Sequence, residues 1–171
     1  MRLYIVRHGI AVDRADPAAT TDEERWLTDE GKAKTRLVAL GLQALGVEID
    51  AIFSSPLVRA RQTAEVLAKV LHPARRLRLT ENLEPGFSLE ALCDEISRAE
   101  GAQNVMLVGH EPDLGEMIST LVWGDDSGLV QMKKAGVALL ALSGLPPSPR
   151  GVVLKWLFPP RALIALGKAV T

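Results

Sequence analysis

The chain has 171 residues, 47% of them hydrophobic and 24% charged, which suits a globular domain with a sizeable core. The formal net charge is −1, so no overall field favours nucleic acid or an anionic membrane, and any anion site must come from local arginines. The single cysteine, Cys93, excludes an intrachain disulfide and a zinc site built on cysteines. Because no signal-peptide pattern and no membrane-spanning apolar run is present, we expect a cytoplasmic protein with one domain over residues 1–171.

The first half of the chain alternates short apolar runs with helical patterns. Residues 3–6 are apolar and β-rich, as in a buried strand. Thr28 is a suitable cap for a helix over residues 29–45. Ser55 and Pro56 favour a further helix start, with Ser55 as N-cap and Pro56 at the first helical position. The other elements predicted in this half are a polar loop over 13–25, a strand over 50–53, a helix reaching residue 71 and a half-exposed strand over 76–79.

The second half continues the same alternation. Glu111 and Pro112 favour the start of a helix directly after a buried strand. From Pro159 onward the sequence predicts no definite structure. The remaining predicted elements are a helix over 89–99, strands over 104–108, 137–142 and 152–158, and a turn-rich segment over 143–151. Strands alternating with helices predict an α/β fold with a mostly parallel sheet and helices on both faces.

Cations or imidazoles follow three of the predicted strands. They lie in Arg7-His8-Gly9, in residues 52–65 and in residues 105–112. Ligands of open α/β sheets bind outside the carboxyl ends of the strands, so these three segments predict one site.

Arg59 is unusual because it falls in the first turn of a predicted helix, where the helix dipole disfavours a cation. An anion held between the helix N-terminus and the guanidinium would offset that cost. With Arg7 as a second guanidinium, a phosphoryl dianion fits better than a carboxylate. Taken alone, Arg59 could equally pair with a carboxylate of the protein itself.

The chain contains three histidines. His72 follows a helix and is expected to be solvated, whereas His8 and His110 both follow buried strands. Two imidazoles beside a phosphoryl group suggest covalent catalysis, in which one attacks phosphorus as the neutral base. The other, if protonated, stabilises the charge of the transition state. Gly9 lacks a side chain and would let the backbone approach the phosphate.

These residues resemble the motifs of the histidine phosphatase superfamily, which includes phosphoglycerate mutases and acid phosphatases. "VRHG" is similar to its nucleophile motif, "SSPLVRARQTAE" to its second arginine segment and "VGHEP" to its second histidine segment. The resemblance runs from residue 2 to about residue 123. The short chain and "WLTDEGKAK" after a brief loop make it most similar to the SixA-type phosphohistidine phosphatases.

The resemblance implies a three-layer sandwich around a mostly parallel sheet, and a phosphatase that needs no metal or other cofactor. His8 resembles the nucleophile that becomes phosphorylated. Arg7 and Arg59 resemble the phosphate-binding arginines, and His110 resembles the second histidine of the phosphate pocket. Together with Gly9, these residues are the expected substrate-binding set.

A general acid separates the branches of the family, because an alkoxide leaving group needs a proton and the imidazole of phosphohistidine needs far less help. Glu84 and Glu81 are the candidate acids in this sequence, and either is as easily a solvated loop carboxylate. The SixA-type branch lacks the acid of the mutases, as the resemblance implies.

Several functions therefore stay open. The leading hypothesis is a phosphatase acting on phosphohistidine in a protein partner of the histidine phosphotransfer type. The second is a phosphomonoesterase or mutase for a small phosphate ester, with Glu84 or Glu81 as the acid. The third is a non-catalytic phosphate-binding module. A metal hydrolase is weaker, since no compact ligand cluster accompanies the histidines. No nucleic-acid or membrane partner is expected.

Overall fold

The computed structural model describes residues 1–99, 101–125, 130–147 and 151–170. Its elements alternate along the chain as the sequence predicts. In chain order they are β1 (Arg2–Arg7), α1 (Asp29–Ala44), β2 (Ala51–Ser54), α2 (Val58–Leu71), β3 (Arg78–Leu79), a 3-10 turn (Glu81–Leu83), α3 (Leu89–Ser97), β4 (Asn104–Gly109), α4 (Asp113–Trp123), β5 (Val137–Leu142), β6 (Val152–Phe158) and α5 (Pro160–Ala169).

In the described part of the chain, six strands form one sheet with the order β3-β2-β4-β1-β5-β6. The pairs β2–β3, β2–β4 and β1–β4 are parallel, whereas β5 runs antiparallel to both of its neighbours. The predicted α/β fold with a mostly parallel sheet is confirmed.

The core consists of two apolar layers, one on each face of the sheet. Alternate residues of β1 point to opposite faces, so that Ile5 packs in one layer and Val6 in the other. Helices α3 and α4 cover the layer that contains Ile5, and α1, α2 and α5 cover the layer that contains Val6. The predicted three-layer sandwich is therefore confirmed. No helix of the described residues is both long and apolar enough to span a membrane.

The two predicted helix starts at Thr28 and Ser55 have different outcomes. Thr28 caps α1, accepting a hydrogen bond of 2.9 Å from the Gly31 N–H. The prediction for Ser55 is wrong, because α2 begins only at Val58 and its N-terminus has no side-chain cap. The Ser55 hydroxyl is used elsewhere: it lies 2.9 Å from a ring nitrogen of His110.

Helix α5 is the main element that the sequence did not predict. Gly41 on α1 and Gly167 on α5 allow the two helix backbones to touch. A Cβ at Gly41 would lie 2.1 Å from the Leu163 carbonyl oxygen, and one at Gly167 would lie 2.1 Å from that of Leu37. Two smaller points remain. Of the strand predicted over 76–79, only Arg78–Leu79 pairs with the sheet. Of the turn-rich segment predicted over 143–151, residues 148–150 lie outside the described residues.

Candidate active site

The strand register brings the two site histidines level with each other. Arg7 pairs with Gly109 across β1 and β4, so the next residues, His8 and His110, leave the sheet side by side. The centroids of their rings are 5.3 Å apart. Strand β2 flanks β4 on its other side, and the Ser55 N–H donates to the Val108 carbonyl, which places Ser55 beside His110. The sequence prediction that these strand ends meet is confirmed.

His8 is buried and its two ring nitrogens have different environments. Nδ1 lies 2.8 Å from the carbonyl oxygen of Gly9. Because a carbonyl only accepts, Nδ1 carries the proton and Nε2 keeps a free lone pair. Burial lowers the pKa of His8 to about 3; the Gly9 hydrogen bond opposes this shift, and electrostatic interactions with His110, Arg59 and Arg7 add to it. His8 is therefore neutral at physiological pH, as a nucleophile must be.

His110 is also buried, and it is held through Nε2, which lies 2.9 Å from the Ser55 hydroxyl. Its Nδ1 has no hydrogen-bond partner. Burial lowers the pKa of His110 to about 4, and the positive charges of Arg59 and Arg7 act in the same direction against an opposing effect of Asp22. Both imidazoles are therefore neutral at physiological pH.

The two arginines are each fixed through their terminal nitrogens. Arg7 donates from Nη1 to the Met132 carbonyl oxygen at 2.8 Å. Arg59 donates from Nη1 to the Asp22 carbonyl oxygen at 2.6 Å and from Nη2 to the Asp22 carboxylate at 2.8 Å. The Nε–H groups of both arginines are buried without a partner. The terminal nitrogens thus fix the orientation of each guanidinium, and its Nε–H remains as an unused donor.

Unpaired buried polar atoms are concentrated in this pocket. Among the described residues, four buried side-chain nitrogen or oxygen atoms have no partner. Three of them are Arg7 Nε, Arg59 Nε and His110 Nδ1, and the fourth is the Ser119 hydroxyl on α4. The two arginine Nε atoms are donors, and His110 Nδ1 is a donor when the Ser55 hydroxyl donates to Nε2. A buried donor without an acceptor costs about 1–3 kcal/mol, so the three nitrogens together indicate a site built for an oxygen-rich anion.

The pocket has a volume of about 510 Å³ and is rich in charge. His8 and His110 line it together with Pro85 and Pro112, and the remaining lining residues are five cations and four carboxylates: Arg7, Arg14, Arg25, Arg59, Lys134, Asp13, Asp22, Glu111 and Asp113. Neither Glu81 nor Glu84 is a lining residue, although Pro85 is. The structure therefore brings both histidines and both arginines together and leaves the two candidate acids outside the wall.

Asp22 is a site residue that the sequence reasoning missed. Its carboxylate accepts from Arg59, from Arg25 at 2.8 Å and from Arg14 at 3.1 Å. Burial raises the pKa of Asp22, but the hydrogen bond from Arg25 and the charges of Arg59, Arg14 and Arg25 outweigh it and lower the pKa to about 2. The cluster of arginines and acids in residues 14–25 was the available signal, but it was interpreted only as a polar loop.

Gly9 has a different neighbourhood from the one the sequence suggested. It is not among the lining residues, and its N–H donates to the Thr63 hydroxyl at 2.9 Å. A Cβ at Gly9 would lie 2.6 Å from the Thr35 hydroxyl oxygen on α1. Because Gly9 has no side chain, α1 can pack directly against the backbone that follows His8.

The remaining carboxylates of the wall all accept hydrogen bonds. Glu111 accepts from the Met132 N–H at 3.3 Å, and Asp113 accepts from the Gly86 N–H at 2.7 Å. Asp13 accepts from the Ala15 N–H at 2.9 Å. Burial raises the pKa of Glu111, opposed by the Met132 and Gly115 N–H groups and by Arg7. Over the described ranges, no group of three or more His, Cys, Asp or Glu side chains is arranged to hold a metal ion.

Comparison with known proteins identifies the class. Residues 3–84 match the histidine phosphatase superfamily (branch 1). The chain is 32% identical over 127 residues to the phosphohistidine phosphatase SixA of Escherichia coli, covering 73% of this chain and 76% of that protein. It is also 44% identical over 142 residues to an uncharacterized protein of Picosynechococcus, covering 80% of this chain and 82% of that protein. The chain belongs to the histidine phosphatase superfamily, and it is a hydrolase of the phosphatase type.

Within that superfamily, the similarity is to the SixA-type enzymes. A solved structure of the protein histidine phosphatase SixA complexed with tungstate aligns with a TM-score of 0.82 and 25% sequence identity. The alignment covers 95% of this chain and 99% of that chain. The resemblance predicted from the three sequence motifs is confirmed.

Proposed function

We propose that this phosphatase removes the phosphoryl group from a phosphohistidine of a protein partner, through a covalent intermediate on His8. The observation that carries the proposal is the set of three unpaired nitrogens of Arg7, Arg59 and His110 around a neutral His8. They are suited to bind the equatorial oxygens of a phosphoryl group while His8 attacks phosphorus. Similarity to the phosphohistidine phosphatase SixA supports the same substrate class.

In the first step, the lone pair of His8 Nε2 forms a bond to phosphorus, and the phosphorus–nitrogen bond of the substrate breaks. The substrate imidazole, which carries a proton on its other ring nitrogen, leaves with that electron pair as a neutral imidazole. The Gly9 carbonyl accepts the Nδ1–H of His8, which stabilises the positive charge that develops on the phosphorylated ring. In the second step, water attacks phosphorus and His8 Nε2 leaves, so phosphate is released and the enzyme is restored.

The charged state of Asp22 favours phosphohistidine over an ester. Its carboxylate accepts from three arginines, and its pKa is lowered to about 2 despite burial, so it does not carry a proton at physiological pH. A general acid must instead carry a proton and donate it to the leaving group. An imidazole nitrogen, whose conjugate acid has a pKa of roughly 6.5, leaves without that help far more readily than an alkoxide does.

One observation favours the alternative, a phosphomonoesterase for a small phosphate ester. Glu111 lines the pocket, and burial raises its pKa, which is the property of a general acid. On this alternative, Glu111 takes the part that the sequence analysis gave to Glu84 or Glu81. The two functions predict different consequences for the same substitution.

The discriminating assay measures turnover of a histidine-phosphorylated phosphotransfer domain and of an aryl phosphate ester, with a chelator present. We expect His8→Ala to abolish turnover of the phosphoprotein and Glu111→Gln to change it by no more than about threefold. If Glu111 is a general acid, the same substitution lowers ester turnover by about 100-fold or more. Glu84→Gln and Glu81→Gln are the matched controls, because both side chains lie outside the pocket wall.

Fast, His8-dependent ester hydrolysis with an inert phosphoprotein would transfer the assignment to the phosphomonoesterase. Tight phosphate binding without turnover of either substrate would instead identify a non-catalytic module. The cytoplasmic location and the single domain over residues 1–171 stay predictions from the sequence.

A further inference from the structure

A second cavity, which we call the basic groove, lies directly beside the active-site pocket. It has a volume of about 740 Å³ and runs between α1, α5 and the turn before β5. Its apolar lining includes Ile10, Ala135, Pro160, Ile164 and Ala165. Its cationic lining consists of Arg7, Lys34, Lys133, Lys134, Arg161 and Lys168. No Asp or Glu is among the described residues that line it.

The groove and the active-site pocket are adjacent. Arg7 and Lys134 line both of them, and Arg7 directly precedes the nucleophile His8. A molecule that presents a phosphoryl group to His8 and extends past Lys134 therefore enters the groove. The groove is well placed to contact the part of a substrate that lies beyond its phosphoryl group.

The charge of the groove differs sharply from that of the whole molecule. Six cations line it, whereas the chain as a whole has a net charge of −1. One of the six, Lys34, is paired with Glu30 at 2.5 Å, and the side chains of Lys133 and Arg161 are exposed. Such a local excess of cations over acids attracts an acidic partner and speeds its association.

The apolar lining narrows the choice of partner. A partner that bound through ionic contacts alone would leave the apolar side chains of Ile10, Pro160 and Ile164 without a role. These side chains are suited to pack against the apolar face of an amphipathic helix. On a helix that carries a phosphohistidine, the residues three, four and seven positions away share the face of the phosphorylated residue. They would meet the groove while the phosphoryl group lies at His8.

We propose that the basic groove binds an acidic, amphipathic helix of the substrate protein, next to its phosphohistidine. This inference rests on the proposed phosphohistidine phosphatase function and adds to it a surface that selects the protein partner. Specificity for the partner then resides in α1, α5 and the turn before β5, and not in the catalytic residues.

The test reverses two charges of the groove, Lys133→Glu together with Arg161→Glu. Neither residue lines the active-site pocket, and a glutamate suits the first turn of α5, where Arg161 lies. The matched control reverses two exposed cations outside the groove, Arg36→Glu together with Lys155→Glu, with the same change in net charge. Each enzyme is assayed on a histidine-phosphorylated phosphotransfer domain and on free phosphohistidine.

We expect the groove variant to raise KM for the phosphoprotein by about tenfold or more and to leave kcat/KM for free phosphohistidine within about twofold. The control variant should behave as the wild type does on both substrates. Raising the salt concentration should increase the wild-type KM for the phosphoprotein and have much less effect on the groove variant.

Three results would overturn the proposal. Unchanged KM for the phosphoprotein excludes docking in the groove, and equal losses on both substrates indicate a subsite for a small anion. An equal loss in the control variant assigns the effect to overall charge. Failure of the proposed function itself looks different: the wild-type enzyme then leaves the phosphoprotein intact and hydrolyses only esters.

Discussion

Lowering the pH should destabilise the protein through the two site histidines. At pH 5, a histidine with the ordinary pKa of 6.5 is almost fully protonated in the unfolded chain, whereas folded His8, with its pKa of about 3, stays neutral. Protonation of this one histidine stabilises the unfolded state by about 1.4 kcal/mol for each pH unit below 6.5, or about 2 kcal/mol at pH 5. His110, with its pKa of about 4, adds a similar amount.

The sign follows from the depressed pKa of each folded imidazole. Between about pH 6.5 and the folded pKa, the unfolded chain binds more protons, so the free energy of unfolding falls as the pH falls. Asp22 acts in a separate window. Its pKa is lowered from 3.8 to about 2, so the stability that it contributes is lost only below about pH 4. A comparison of pH 7.5 with pH 5 therefore isolates the histidines from Asp22.

The assay is urea-induced unfolding in phosphate-free buffer at these two pH values. The two histidines together should cost the wild type about 4 kcal/mol between pH 7.5 and pH 5, and either His8→Asn or His110→Asn should reduce this loss by about 2 kcal/mol. The raised pKa of Glu111 acts in the opposite direction and does so equally in all of these proteins, so the comparison between variants carries the test. In the double variant, positions 8 and 110 should contribute almost nothing to the pH dependence of the free energy of unfolding. If His8→Asn loses as much stability as the wild type, then folded His8 binds a proton at pH 5, and the neutral, buried nucleophile described above is refuted.

Two further predictions concern the residues that hold the site together. Asp22→Asn should lower kcat/KM by about tenfold and stability by about 1–2 kcal/mol, because Arg59 and its neighbours lose a charged acceptor; steady-state kinetics and urea unfolding measure both, and wild-type values in both would remove Asp22 from the site. Gly9→Ala should destabilise the fold by about 1–3 kcal/mol through its contact with the Thr35 hydroxyl. Adding Thr35→Ala should cost less in the Gly9→Ala background than in the wild type, and strict additivity in the double-mutant cycle would argue against that contact.

The residues of the site were predictable because they follow strands directly. Once β1 and β4 are recognised as parallel neighbours, the register alone brings His8 and His110 together. The two interpretations of Arg59 that the sequence left open are both realised in the structure. Arg59 pairs with a carboxylate, that of Asp22, and it also has an unpaired donor in the pocket.

The features that were missed depend on contacts between distant parts of the chain. The side chains of Asp22 and Arg59 meet across 37 positions, and no local pattern encodes that pairing. Ser55 has the local sequence of a helix cap, but its hydroxyl contacts His110, 55 positions away. Helix α5 follows Pro159 in a segment whose position depends on packing against α1. In each case a tertiary contact decides between local alternatives.

The glycine contact between α1 and α5 has a consequence for how substrate preference could change during evolution. At Gly41 and Gly167 the two helices approach so closely that even a methyl group would force them apart. One helix carries Lys34 and the other carries Arg161 and Lys168, so this spacing sets the distance between the two walls of the basic groove. A single mutation to alanine at either glycine would push α1 and α5 apart and widen the groove without replacing any residue around His8. If the basic groove selects the substrate protein as proposed above, partner choice can change through the spacing of these two helices, without a change in the catalytic residues.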